Sequence, residues 1–96
     1  MLAAELMVAR LQSIGGITSK KMFGGNGIFH NGKMFCIIDS KGKSYFKLND
    51  VKKIAFEKLG ATKHNRMPYY AIPDEILNDL AKLTYWAKSS IKDLAR

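Results

Sequence analysis

One run of eight residues constrains this chain more than any other: Ile28-Phe29-His30-Asn31-Gly32-Lys33-Met34-Phe35, two apolar segments joined by Asn-Gly. A two-residue type I′ turn needs positive φ at both central positions, which Asn and Gly tolerate best, so the run predicts a tight antiparallel hairpin. The return strand, KMFCIID, is nearly continuous in apolar residues. That pattern predicts a central strand covered on both faces. Asp39 to Lys43 then turns the chain into SYFKL, where Ser44, Phe46 and Leu48 face one way and Tyr45 and Lys47 the other.

Helical periodicity flanks this sheet. Leu2, Leu6, Leu11 and Ile14, with Met7 beside them, recur close to every third or fourth residue, and Gly15-Gly16 ends that helix. A second helix follows Asn49 or Asp50 as cap, with Val51, Ile54, Ala55 and Leu59 as its apolar stripe and Gly60 as its stop. MPYYAIP has proline at both ends of a β-prone core, which limits it to a short edge strand or an extended connector. Pro73 and Asp74 open helical sequence again, and from Asp79 the residues Leu80, Leu83, Ala87, Ile91 and Leu94 share one face with Trp86 to its side. The order α-β-β-β-α-β-α describes a single α+β domain spanning 1–96, an antiparallel sheet with N-terminal, middle and C-terminal helices packed on one face.

The glycine-rich stretch ahead of the hairpin, Met22-Phe23-Gly24-Gly25-Asn26-Gly27-Ile28-Phe29, invites comparison with phosphate-binding loops. It lacks the spacing of a P-loop, and as GxGxxG it fails at His30. Such loops also need a helix N-terminus after them, where free N–H groups meet phosphate. Here a strand and hairpin follow. With a regular two-residue turn, Phe29 pairs with Met34, Gly27 with Cys36 and Gly25 with Ile38. Gly25 and Gly27 then share one strand face and leave a trough for close packing, or permit a bulge.

The net charge of +8 lies wholly in the middle of the chain, where residues 20–66 hold eleven lysines and arginines against three acids. Clustered cations attract phosphate or an acidic protein face. They also serve solubility alone. Candidates for a partner or nucleic-acid surface are Lys20, Lys21, Lys41, Lys43, Lys47, Lys52, Lys53, Lys63 and Arg66. Tyr69 and Tyr70 beside Lys63, His64 and Arg66 mix aromatics with bases as stacking platforms do. Adjacent strand tyrosines point to opposite faces, however, so at least one belongs in the core.

Catalytic chemistry finds little support. Cys36 is the only cysteine, which excludes an intrachain disulfide and a CxxC pair, and its apolar strand makes it a small buried hydrophobe. His30 and His64 have no acidic or cysteine neighbour at metal-ligand spacing, and Asp39, Asp50 and Glu57 are dispersed among lysines with no paired acid and base. No apolar run approaches the roughly 18 residues of a membrane-spanning helix, and the N-terminus, with Glu5 and Arg10 in its apolar stretch, is unlike a secretory signal. A cytoplasmic chain without cofactor or metal is expected.

In order and spacing, KKMFGGNGIFHNGKMFCII, YFKLND, MPYYAIP and LTYWAKSSI resemble the successive blocks of the N-terminal domain of the TfoX/Sxy family of bacterial competence regulators. The resemblance runs from about Lys20 to the C-terminus. It implies a small α+β fold similar to secretion-chaperone-like domains, with no enzymatic activity. It also implies transcriptional co-regulation of DNA-uptake genes together with the cAMP receptor protein. By the same resemblance Met22, Phe23, Gly24, Gly25, Gly27, Pro68, Tyr69, Tyr70, Pro73 and Trp86 are family-motif residues with mainly structural roles. The stretch from Gly60 to Met67 is shorter than the family usually has, so that edge of the sheet is expected to be shortened. The leading expectation is a regulatory or adaptor domain that docks an acidic protein or nucleic acid. The alternative is a homo-oligomeric interaction module without a competence role, for which a homodimer would form.

Overall fold

The computed structural model describes residues 3–22, 24–64 and 67–94. The hairpin forms as its turn chemistry demands, with Asn31 at φ 48° and Gly32 at φ 85°. It joins β2 (Gly25–His30) to β3 (Lys33–Ile38). With β1 (Ile17–Met22), β4 (Ser44–Lys47) and β5 (Tyr69–Ala71) these make a five-stranded antiparallel sheet in the order β1-β2-β3-β4-β5. The class is therefore α+β, and β3 is central.

The sheet has one more strand than expected. In β1, ITSKKM, only the end residues Ile17 and Met22 are partly buried. With four polar residues between them it shows no alternation to read, and it forms because β2 offers a complete ladder from Ile17 opposite His30 to Met22 opposite Gly25. Gly24, at φ 78°, sits in the turn that joins them. At the other edge β5 has three residues, and past it a single bridge pairs Lys63 with Tyr70.

Register also departs from the regular hairpin. Phe29 does face Met34, but a bulge follows, so that Ile28 meets Cys36, Gly27 meets Ile37 and Asn26 meets Ile38. The extra residue has a packing reason. It lets two neighbours, Phe35 and Cys36, both reach zero exposure in the same core.

That core lies between the sheet and all the helices: α1 (Ala3–Arg10), α2 (Lys53–Lys58), α3 (Asp74–Leu77) and α4 (Leu80–Leu94). Ala4 and Met7 of α1, Phe56 of α2, Ile76 of α3 and Leu83 and Ala87 of α4 all join it, against Ile28, Phe35, Cys36, Phe46 and Tyr70 from the sheet. Fully burying Phe35, Phe46 or Phe56 stabilises by roughly 1.5–3 kcal/mol each. Two helices present other faces than their aliphatic spacing suggests. In α1 the stripe is Ala4, Met7 and, past its end, Leu11, with Leu6 half exposed; Leu2 lies outside the described residues. Around α2, Phe56 points inward against Trp86 with ring centroids 5.0 Å apart, which leaves Val51, Ile54 and Leu59 exposed. One aromatic ring buries more surface than these aliphatics, and it sets the rotation of the helix. Asn49 caps the turn that leads into α2, its Oδ1 accepting from Val51 N and Lys52 N at 3.1 and 2.8 Å.

Candidate interaction surface

Residues that pair directly across strands share a face of the sheet. The row Lys20-Gly27-Ile37-Tyr45-Ala71 therefore points away from the helices, as do Met22 with Gly25, Phe29 with Met34, and Lys47 with Tyr69. The buried members of this second face are Tyr45, Tyr69 and Ala71, with Met34, Ile37 and Ala61 partly buried against them, and none of these belongs to a helix. The connection after α2 covers the β4 and β5 side, where the His64 ring lies 4.7 Å from that of Tyr45. Towards β1 to β3 the face opens into a hollow of about 320 Å³, walled by Met22, Met34, Ile37, His64 and Met67.

Two glycines of β2 are closely packed on this face. A Cβ on Gly27 would lie 2.7 Å from both Met22 Sδ and Met34 Sδ, so the two thioethers already lean over this position. A Cβ on Gly25 would collide with the Ile38 carbonyl oxygen. The trough read from the sequence is thus present, filled at Gly27 by side chains and at Gly25 by backbone.

Asp39 closes one end of the hollow. Its Oδ1 accepts from Lys41 N and Lys43 N, each at 2.9 Å, and its Oδ2 from Tyr45 Oη at 3.2 Å. Desolvation alone would raise its pKa, but these amides, the hydroxyl and the nearby His64 outweigh it and hold the carboxyl below its ordinary value. Tyr45 is raised by desolvation and by Asp39. Tyr69, whose hydroxyl donates to Met34 O at 3.3 Å, is pushed up to about 12, first by desolvation.

The basic residues separate. Lys20 and Lys21 near the end of β1 and Lys41 and Lys43 in the β3–β4 turn are all exposed at one end of the sheet. Lys47, Lys52 and Lys53 are at the other end and partly buried. There Lys52 Nζ pairs with Asp93 Oδ1 at 3.0 Å and donates to Ser89 O at 3.1 Å, which ties the start of α2 to α4. Lys53 has only a 3.8 Å contact with the fully exposed Asp50, a pair of little energetic weight. Lys63 is exposed beside β5, and Arg66, like Phe23, lies outside the described residues.

Of the family-motif residues, Pro68, Tyr69, Tyr70 and Pro73 lie in and around β5. Tyr69 and Tyr70 are 3% and 4% exposed and belong to the two opposite faces of the sheet, so neither ring offers a free surface for base stacking. Pro68 O accepts from Leu48 N at 3.0 Å, and Pro73 precedes α3 in extended conformation. Cys36 has zero exposure, and burial pushes its thiol far above the ordinary value, which leaves it inert. Among the described residues no three His, Cys, Asp or Glu side chains gather as a metal site, and no helix is long and apolar enough to cross a membrane.

A family model, that of the TfoX N-terminal domain, matches residues 9–94. The chain belongs to this family. No curated protein matches it. Within this TfoX N-terminal domain, sequence reasoning missed Met34, Ile37 and Met67 as walls of the hollow. The signal was partly there, because Phe29 opposite Met34 and the alternation of Tyr45 with Lys47 already define one face. What hid the rest was the bulge, which moves Ile37 opposite Gly27.

Proposed function

We propose that this TfoX N-terminal domain is a non-enzymatic, cytoplasmic adaptor acting in the transcriptional regulation of competence or DNA-uptake genes through a macromolecular partner. The observation that carries the reading is the family match over residues 9–94. The confined +8 charge supports a partner of opposite sign, with Lys20, Lys21, Lys41 and Lys43 as the exposed group placed to meet it. By family resemblance that partner is the cAMP receptor protein or another part of the transcription machinery. The test is deletion of the gene in its source bacterium. Transcripts of DNA-uptake genes and transformation frequency should both fall and return on complementation; unchanged transcripts overturn the reading.

A second reading, a homo-oligomeric module, draws on β1, which pairs only with β2 and leaves its outer edge open among the described residues. Sedimentation at high concentration separates the two readings, since a strict monomer removes the second.

A further inference from the structure

The geometry points to the methionine-walled hollow on the helix-free face of the sheet as a docking site for an acidic protein segment that inserts one large apolar side chain. This inference rests on the adaptor reading and names where and how a partner would bind. Three features support it.

First, the hollow is apolar and adaptable. Met22 and Met34 are partly exposed and Met67 is 41% exposed, and thioether side chains re-pack around differently shaped guests at low cost. Its volume of about 320 Å³ lies at the lower end of the range for ligand pockets, enough for one or two side chains rather than a cofactor. Gly25, in its lining, contributes no side chain.

Second, the surrounding charge selects the sign of the guest. Lys20 stands on the same face, opposite Gly27 and two residues from Met22. Lys43 holds its Nζ 5.8 Å from the centre of the Tyr45 ring, with Lys41 exposed in the same turn. The acid that borders the hollow, Asp39, is already engaged by two amides and the Tyr45 hydroxyl. A second copy of a chain carrying +8 would bring like charge to this rim, whereas acidic residues flanking an apolar anchor complement it.

Third, the wall chemistry disfavours nucleic acid here. Base stacking needs accessible aromatic rings; Tyr45 and Tyr69 on this face are 7% and 3% exposed, and the other two rings here, Phe29 and His64, are only partly exposed.

The test uses the full chain with ε-methyl-labelled methionine and two fluorescent 15-residue peptides rich in Asp and Glu, identical except for Leu-Phe or Ser-Ser at the centre. A short DNA duplex serves as competitor. The Leu-Phe peptide should bind at least tenfold more tightly than the Ser-Ser peptide and shift the Met22, Met34 and Met67 methyl signals while leaving Met7, in the helix-side core, unmoved. Met67→Glu and Lys20→Glu, both at exposed positions, should each weaken binding several-fold without changing the thermal midpoint. Equal binding of the two peptides overturns the proposal. So does displacement of the Leu-Phe peptide by duplex, or a concentration-dependent shift of the same methyls without peptide, which would give the face to nucleic acid or to a second copy. Failure of the peptide test with the deletion phenotype intact removes this site and leaves the adaptor reading standing; loss of the deletion phenotype with peptide binding intact does the reverse.

Discussion

The Ser90 hydroxyl on α4 donates to the Lys47 carbonyl oxygen at 2.6 Å, and the Phe35 carbonyl oxygen lies 3.3 Å from the same Oγ. Ser90 has zero exposure, so one short side chain fastens the longest helix to the backbone of two neighbouring strands. Ser90→Ala removes this buried donor and should destabilise the domain by about 1–3 kcal/mol. Urea unfolding checks this: the midpoint should fall while the slope stays constant.

Gly25 and Gly27 are adjacent on one face of β2 but should respond differently to substitution. At Gly25 an added Cβ meets the Ile38 carbonyl oxygen and comes within 3.1 Å of Asp39 backbone carbons, and the backbone cannot step aside without breaking the ladder. At Gly27 it meets the sulfurs of Met22 and Met34, which can swing away. Gly25→Ala should therefore cost about 1–3 kcal/mol, at the usual level for overpacking, and Gly27→Ala clearly less. Thermal midpoints of the two variants decide it, and equal losses would contradict the distinction. Valine at either position exceeds what either neighbourhood can give and should destabilise in both cases.

These same glycines show what the amino-acid order reveals. The Asn31-Gly32 turn and the alternation through β4 are local, governed by backbone conformation and strand period, and they were legible. Strand β1 was not, because Thr18, Ser19, Lys20 and Lys21 are all exposed and its pairing is supplied by β2. The rotation of α2 was hidden for a related reason, since Phe56 finds Trp86 thirty residues away in sequence, a contact that helical spacing cannot disclose. The lysine cluster was legible as composition, but its division between two ends of the sheet follows from strand direction, and the diversion of Lys52 to Asp93 depends on a helix docked forty-one residues later.

Cys36 offers a probe of opening. With zero exposure and a strongly raised pKa, its thiol should resist disulfide reagents at neutral pH in the folded chain and react at the rate set by unfolding. Labelling followed across a urea series should track the unfolded fraction from circular dichroism. Rapid stoichiometric labelling in buffer alone would mean that β3 opens without global unfolding.

The pH dependence has a defined sign on each side. The Asp39 pKa is lower in the folded state, so its contribution is present above the unfolded value near 3.8 and is lost as pH falls through the folded one. For Tyr69 the folded pKa is raised, chiefly by desolvation and further by Cys36, to about 12 from an ordinary value of about 10. Its contribution is complete below pH ~10 and disappears as pH rises towards 12. Tyr45, raised by desolvation and by its bond to Asp39, acts in the same direction. Tyr69→Phe keeps the buried ring and removes the titrating hydroxyl, at a cost near neutral pH of about 0.5–1.5 kcal/mol for the bond to Met34 O. Urea midpoints measured at pH 8, 10 and 11.5 should therefore converge for the two proteins as pH rises, the wild type losing more. Parallel curves would show that Tyr69 does not titrate with unfolding.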